Sequence, residues 1–132
     1  MNRVIVDTSA WIEFFRPKGD AKLREEVKRL IAEAGILLPG IIKAELPRGA
    51  RSAEGYERLD ELLKGLTYLP VAEDFWERLW RFSFDLLRKG IVVPLADAYI
   101  ALLAIENNAS LLHCDQHFDL VARKTNLNVL KV

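Results

Sequence analysis

Val4-Ile5-Val6-Asp7-Thr8-Ser9-Ala10-Trp11 is the stretch on which the fold turns. Three β-branched residues followed by an acid and two hydroxyl residues read as a short buried strand that stops where a helix begins. Runs of the same character recur at Ile36 to Leu38, Tyr68 to Val71, Leu111 to Leu112 and Leu127 to Leu130, with longer segments of helical periodicity between them. Strands alternating with helices imply an α/β fold built on a parallel sheet.

The helices have readable ends. Ser9 is a candidate cap for a helix through Phe15, and Asp20 for a longer one that carries Leu23, Val27, Leu30 and Ile31 on one face and closes at Gly35. Pro39 suits the first turn of a helix to about Arg48, broken by Pro47 and Gly49. Glu54 to Lys64 is amphipathic, with Tyr56, Leu59, Leu62 and Leu63 on its buried side. Ala72 to Lys89 is the longest helix, ended by Gly90; Leu95 to Asn107 and Gln116 to Lys124 follow.

With 132 residues, 51% of them hydrophobic, the chain suits one domain spanning 1–132 with one core. It has no repeat, linker or long apolar run, and Met1-Asn2-Arg3 leads straight into the first strand without a signal peptide's apolar stretch. A soluble, cytoplasmic protein with no membrane partner is expected. The single cysteine, Cys114, cannot form an internal disulfide and reads as a small buried hydrophobe. Nineteen basic residues balance 19 acidic ones, so no global positive field draws the chain to nucleic acid. Neutralising four of those acids would leave an excess of four positive charges, so the balance does not exclude RNA.

Asp7 ends the first strand, Asp115 follows the fourth, and Asp97 sits in the first turn of the helix from Leu95, which are the places where parallel α/β folds hold ligands. Glu45 lies within a helix among Ile41, Ile42 and Leu46. Each acid alone could be a helix cap. Two carboxylates about 4 Å apart repel by roughly 4 kcal/mol at an effective dielectric near 20, so four that converge need protons or cations between them. An all-oxygen set suits a hard divalent ion, and such a site can activate water against a phosphodiester. A phosphatase with Asp7 as covalent nucleophile would want a second Asp two residues on, where Ser9 stands.

Four blocks, Val6-Asp7-Thr8-Ser9-Ala10-Trp11, Lys43-Ala44-Glu45-Leu46, Leu95-Ala96-Asp97-Ala98-Tyr99-Ile100-Ala101 and Asp115-Gln116-His117-Phe118, together resemble the PIN domain family. Within it the likeness is to the VapC toxins of prokaryotic toxin–antitoxin pairs, along essentially the whole chain. The resemblance implies a three-layer α/β/α fold with a central parallel sheet and an endoribonuclease dependent on Mg²⁺ or Mn²⁺. It implies hydrolysis by metal-activated water, without the substrate's 2′-hydroxyl as nucleophile, and inhibition by a cognate antitoxin. Asp7 and Asp97 match the principal metal ligands, Glu45 and Asp115 the other two acidic positions, and Ser9 a small polar residue that supports them.

The chain departs from the pattern around Asp115: His113 and His117 stand where many relatives have Thr and a second Asp. As an isolated exposed histidine, His117 is expected to stay out of the site, and Asp119 to point elsewhere. The departures leave room for a non-catalytic PIN platform that binds RNA or protein. Lys43, Arg48 and Arg51, and separately Arg16 and Lys18, are candidates for gripping RNA phosphates. The helix holding Phe75, Trp76, Leu79, Trp80, Phe82, Phe84, Leu86 and Leu87 has more apolar residues than one core-facing stripe needs. Either it is deeply buried, or it meets a second copy in a homodimer or an antitoxin segment. Trp11 is expected in the core.

Overall fold

The computed structural model describes residues 3–132. Met1 and Asn2, on which the reading of the leaderless start partly rests, lie outside the described residues. The strands are β1 (Val4–Val6), β2 (Ile36–Pro39), β3 (Thr67–Leu69), β4 (Ser110–Leu112) and β5 (Asn128–Val129); the helices are α1 (Thr8–Phe15), α2 (Ala21–Ala32), α3 (Gly40–Glu45), α4 (Ala53–Lys64), α5 (Phe75–Arg88), α6 (Leu95–Glu106) and α7 (His117–Lys124). The sheet runs β3-β2-β1-β4-β5, with every pair parallel.

All three residues of β1 are buried because a central parallel strand is covered on both faces, which is why it reads as a continuous apolar run. The connections from β1 to β2 and β2 to β3 step one way along the sheet, and those from β3 to β4 and β4 to β5 step the other way. Right-handed crossovers therefore place α1 to α4 on one face and α5 to α7 on the opposite one, giving three α/β/α layers. The direction reverses between β1 and β4, so the switch point lies at their carboxyl ends. Those two strands stay paired to the last residue: Val6 faces Leu112, and the Asp7 amide donates to the Leu112 carbonyl at 2.9 Å.

The core lies on both sides of this sheet. Trp11 is fully buried beneath α1, as expected, and Ala98 through Ala104 of α6 are buried all round, between the sheet and its neighbouring helices. Arg78 of α5 grips Glu106 at the end of α6 with two hydrogen bonds, 2.6 and 3.1 Å long.

Several local expectations are corrected. The cap of α1 is Asp7, whose side chain accepts from the Ser9 amide, and not Ser9. The left-handed residue that ends α2 is Ala34 (φ 54°), one position before Gly35, whose amide reaches back to the Leu30 carbonyl at 3.0 Å. The helix after Pro39 stops at Glu45 and tightens into a 3₁₀ turn over Leu46–Gly49, because Pro47 cannot donate to a continuing α-helix. On α4 only Leu63 is fully buried; Leu59 and Leu62 are half-buried and Tyr56 is exposed. Helix α5 begins at Phe75 rather than Ala72, and Cys114 is exposed, not a core residue. The deeply buried alternative for α5 fails as well: Trp76, Trp80, Phe84 and Leu87 face outward, Trp80 with 70% of its surface exposed.

Candidate metal centre

Asp7 leaves β1 at the switch point and turns back to cap the helix that follows. Its Oδ2 accepts from the Ser9 amide at 3.0 Å and from the Ser9 hydroxyl at 2.6 Å. The Ser9 hydroxyl accepts in turn from the Cys114 amide at 3.0 Å, which ties the end of β1 to the loop after β4. Asp7 is only 8% exposed and, among the described residues, is the one buried charged side chain. Burial pushes its carboxyl above the usual range, the Ser9 hydrogen bonds pull it back, and the charge of Glu45 pushes it up again.

Asp97 stands in the first turn of α6, its amide held by the Pro94 carbonyl at 3.0 Å. Burial raises its carboxyl most; a hydrogen bond from His117 opposes this, and the charges of Asp115 and Asp7 add to the rise. Asp115 lies in the turn between β4 and α7, where its Oδ1 accepts from the His117 amide at 3.0 Å and its own amide donates to His113 Nδ1 at 3.1 Å. Glu45, at the end of α3, is exposed although apolar residues stand near it, because α3 is too short to bury more than Ile42. The Thr8 hydroxyl donates to Glu45 Oε1 at 2.7 Å and aims it toward Asp7.

Asp7, Glu45, Asp97 and Asp115 border one cavity of about 200 Å³, with Thr8 and Ser9 on its floor and Ile12, Ile41, Ala96 and Ile100 as apolar walls. No lysine or arginine lines it. The tightest group is Asp97, Asp115 and His117, whose ligand atoms lie within 4.8 Å of one another. His117 Nδ1 is 3.0 Å from Asp97 Oδ2 and 3.2 Å from Asp115 Oδ1, which corrects the expectation that this histidine stays out of the site. Asp119 does point elsewhere, toward His113 Nε2 at 3.4 Å.

The donor set fits a divalent cation. Carboxylates partly withdrawn from water, with no fixed protein cation beside them except a titratable imidazole, are left to protons or a metal for compensation. Asp97, Asp115 and His117 have ligand atoms close enough to share such an ion, and Asp7 and Glu45 border the same cavity.

The basic residues picked from the sequence sit elsewhere. Lys43 lies over the Tyr68 ring, 5.7 Å from its centre, and Arg16 pairs with Glu13 at 2.9 Å. Arg16 and Arg51, with Arg58, edge a separate apolar groove formed by Ile12, Phe15, Leu46, Leu59 and Leu62. Ile12 lines both concavities, so the groove and the acidic cavity are neighbours. Sequence reasoning missed Thr8 and underrated His117; the signal for both was closeness in sequence, one residue after Asp7 and two after Asp115.

The family model of the PIN domain matches residues 4–124. Ribonuclease VapC11 of Mycobacterium tuberculosis is 35% identical over 128 residues, spanning 94% of this chain and 95% of that protein. A crystal structure of FitAcB from Neisseria gonorrhoeae superposes with a TM-score of 0.78 at 22% identity, covering 97% of this chain and 96% of the other. VapBC2 from Rickettsia felis, bound to a DNA fragment from its promoter, gives 0.77 at 21% identity, covering 96% of each chain. At such identities the two structures speak for the fold. The expected α/β/α architecture, the sequence match over nearly the whole length and the full-length structural likeness agree, and the chain belongs to the PIN domain family.

Proposed function

We propose that this PIN domain, one domain over the whole chain, is a divalent-metal-dependent endoribonuclease and the toxin of a toxin–antitoxin pair. The observation that carries the proposal is a cavity bordered by four carboxylates and no basic residue, at the switch point of a chain that is 35% identical to a ribonuclease across almost its full length. Asp7 and Asp97 act as principal ligands of Mg²⁺ or Mn²⁺, with Glu45 and Asp115 completing the acidic ring. Once bound, the ion supplies an activated water and offsets charge that builds on the phosphodiester. Ser9 holds the Asp7 carboxylate in one orientation and Thr8 does the same for Glu45, so neither acid has to be ordered when substrate arrives. Ile41 and Ile100 give the cavity an apolar side, and Asp7 is the acid most withdrawn from water.

The partners follow from the surfaces. RNA is the substrate. The apolar groove beside the acids, edged by Arg16, Arg51 and Arg58, suits an amphipathic antitoxin segment, whose end would reach the cavity past Ile12. The outward aromatic face of α5 suits a homodimer. Among the described residues no helix is long and apolar enough to cross a membrane, and a cytoplasmic setting is part of the proposal.

Cleavage of structured RNA by the purified chain tests the function. Activity should require Mg²⁺ or Mn²⁺, stop with chelator, vanish in Asp7→Asn and Asp97→Asn, and persist on a substrate whose scissile nucleotide lacks its 2′-hydroxyl. Full activity in both variants would refute the proposal. The alternative, a PIN platform that binds RNA or protein without catalysis, calls for RNA binding with no calorimetric uptake of metal at these acids.

A further inference from the structure

We propose that His117 is a direct ligand of the metal in this site, through Nδ1, and that it biases the site toward Mn²⁺ over Mg²⁺. The proposal rests on the nuclease reading above and adds to it the identity of one donor and the class of ion preferred.

His117 is the first residue of α7, and its ring nitrogen faces two carboxylates from different elements: Asp97 Oδ2 on α6 at 3.0 Å and Asp115 Oδ1 in the turn before α7 at 3.2 Å. The same turn fixes ring and acid together, because the His117 amide donates to Asp115 Oδ1 at 3.0 Å. Adjacent ligands of a six-coordinate ion with bonds of about 2.1 Å stand about 3.0 Å apart. Two edges of the triangle formed by the three donor atoms have about that spacing, and all three atoms lie within 4.8 Å of one another.

The setting of the ring suits a ligand. Among the described residues His117 Nε2 has no hydrogen-bond partner in the protein, and the side chain is 38% exposed. Nε2 is thus left to solvent, while Nδ1 is the ring nitrogen turned toward the carboxylates. His113 cannot serve in the same way, because its Nδ1 is taken by the Asp115 amide and the ring is buried.

An imidazole changes the ion preference. Mg²⁺ demands oxygen donors and keeps its waters, whereas first-row transition ions accept nitrogen with an affinity that rises along the series from Mn²⁺. A ligand set of Asp97, Asp115 and His117 therefore offers one nitrogen beside its oxygens.

Pulsed electron paramagnetic resonance of Mn²⁺ bound to the full chain reads the bond itself. The wild type should show modulation from a directly coordinated ¹⁴N, and His117→Asp and His117→Ala should lose it. Calorimetry with Mn²⁺ and Mg²⁺ should show His117→Asp lowering the Mn²⁺ over Mg²⁺ affinity ratio at least tenfold. Bound Mn²⁺ without nitrogen coupling in the wild type, or coupling that survives in folded His117→Asp, would overturn the assignment while RNA cleavage stands. If no Mn²⁺ binds and no metal supports cleavage, this inference and the nuclease reading fall together. The wild-type spectrum decides even if a variant fails to fold.

Discussion

The Ser9 hydroxyl donates to Asp7 Oδ2 at 2.6 Å, and the Ser9 amide donates to the same oxygen at 3.0 Å. One oxygen of the buried acid is thus held by its own helix, at a residue that borders the cavity. Outer partners of this kind typically govern metal affinity or activity by 10- to 100-fold. Ser9→Ala should lower RNA cleavage by about that factor while costing only about 1 kcal/mol in urea unfolding, and Ser9→Thr should restore most of it. Cleavage unchanged in Ser9→Ala would show that the amide bond alone positions Asp7.

Burial holds Asp7 and Asp97 above the ordinary carboxylate range, so the metal-free native state binds protons more tightly than the unfolded chain. A raised acid costs no stability at low pH. The cost grows as pH climbs from the unfolded value, about 3.9, through the raised native one, and is complete above it. Without metal, Asp7→Asn should therefore be more stable than wild type at neutral pH, and the two should converge below about pH 4. Mn²⁺ at a hundred times its Kd should add about 2.7 kcal/mol to the wild type and nothing comparable to the variant. Denaturant titrations with and without chelator measure both effects.

Ala34 occupies left-handed space at φ 54°, where a Cβ is strained. Ala34→Gly should stabilise the fold by about 1 kcal/mol, and raise Tm by about 4 °C, with RNA cleavage unaffected. A lower Tm would mean that chain entropy in the unfolded state outweighs the relieved strain.

Trp80 projects from the middle of the outward face of α5, with Trp76 and Phe84 one turn on either side. If this face joins two copies, Trp80→Glu should convert dimer to monomer at micromolar concentration in sedimentation velocity. A wild-type monomer at the same concentration would remove the face from consideration as a homodimer surface.

How much of this was legible in the chain depends on the range of the interaction involved. The approximate strand positions, the acids just after β1 and β4 and the acid in the first turn of α6 come from short apolar runs and local turn chemistry, signals confined to a few neighbouring residues. Glu45 was located but misjudged in burial, since a helix only six residues long buries Ile42 and leaves its last residue exposed, although Ile41 shares the cavity with it. The start of α5 and the terminator of α2 slipped by one to three residues, where several backbone conformations compete closely.

The amino-acid order by itself determined that a parallel sheet forms, because continuous β-branched runs between helices can be buried on both faces in no simpler way, and with it that acids lie at strand ends. Only the tertiary structure decided which side chains meet. His117 and Asp97 are 20 residues apart and touch because the first turn of α6 and the turn after β4 converge at the sheet's switch point. Contacts of that kind depend on the directions in which whole elements are laid down, and no local pattern of residues encodes them.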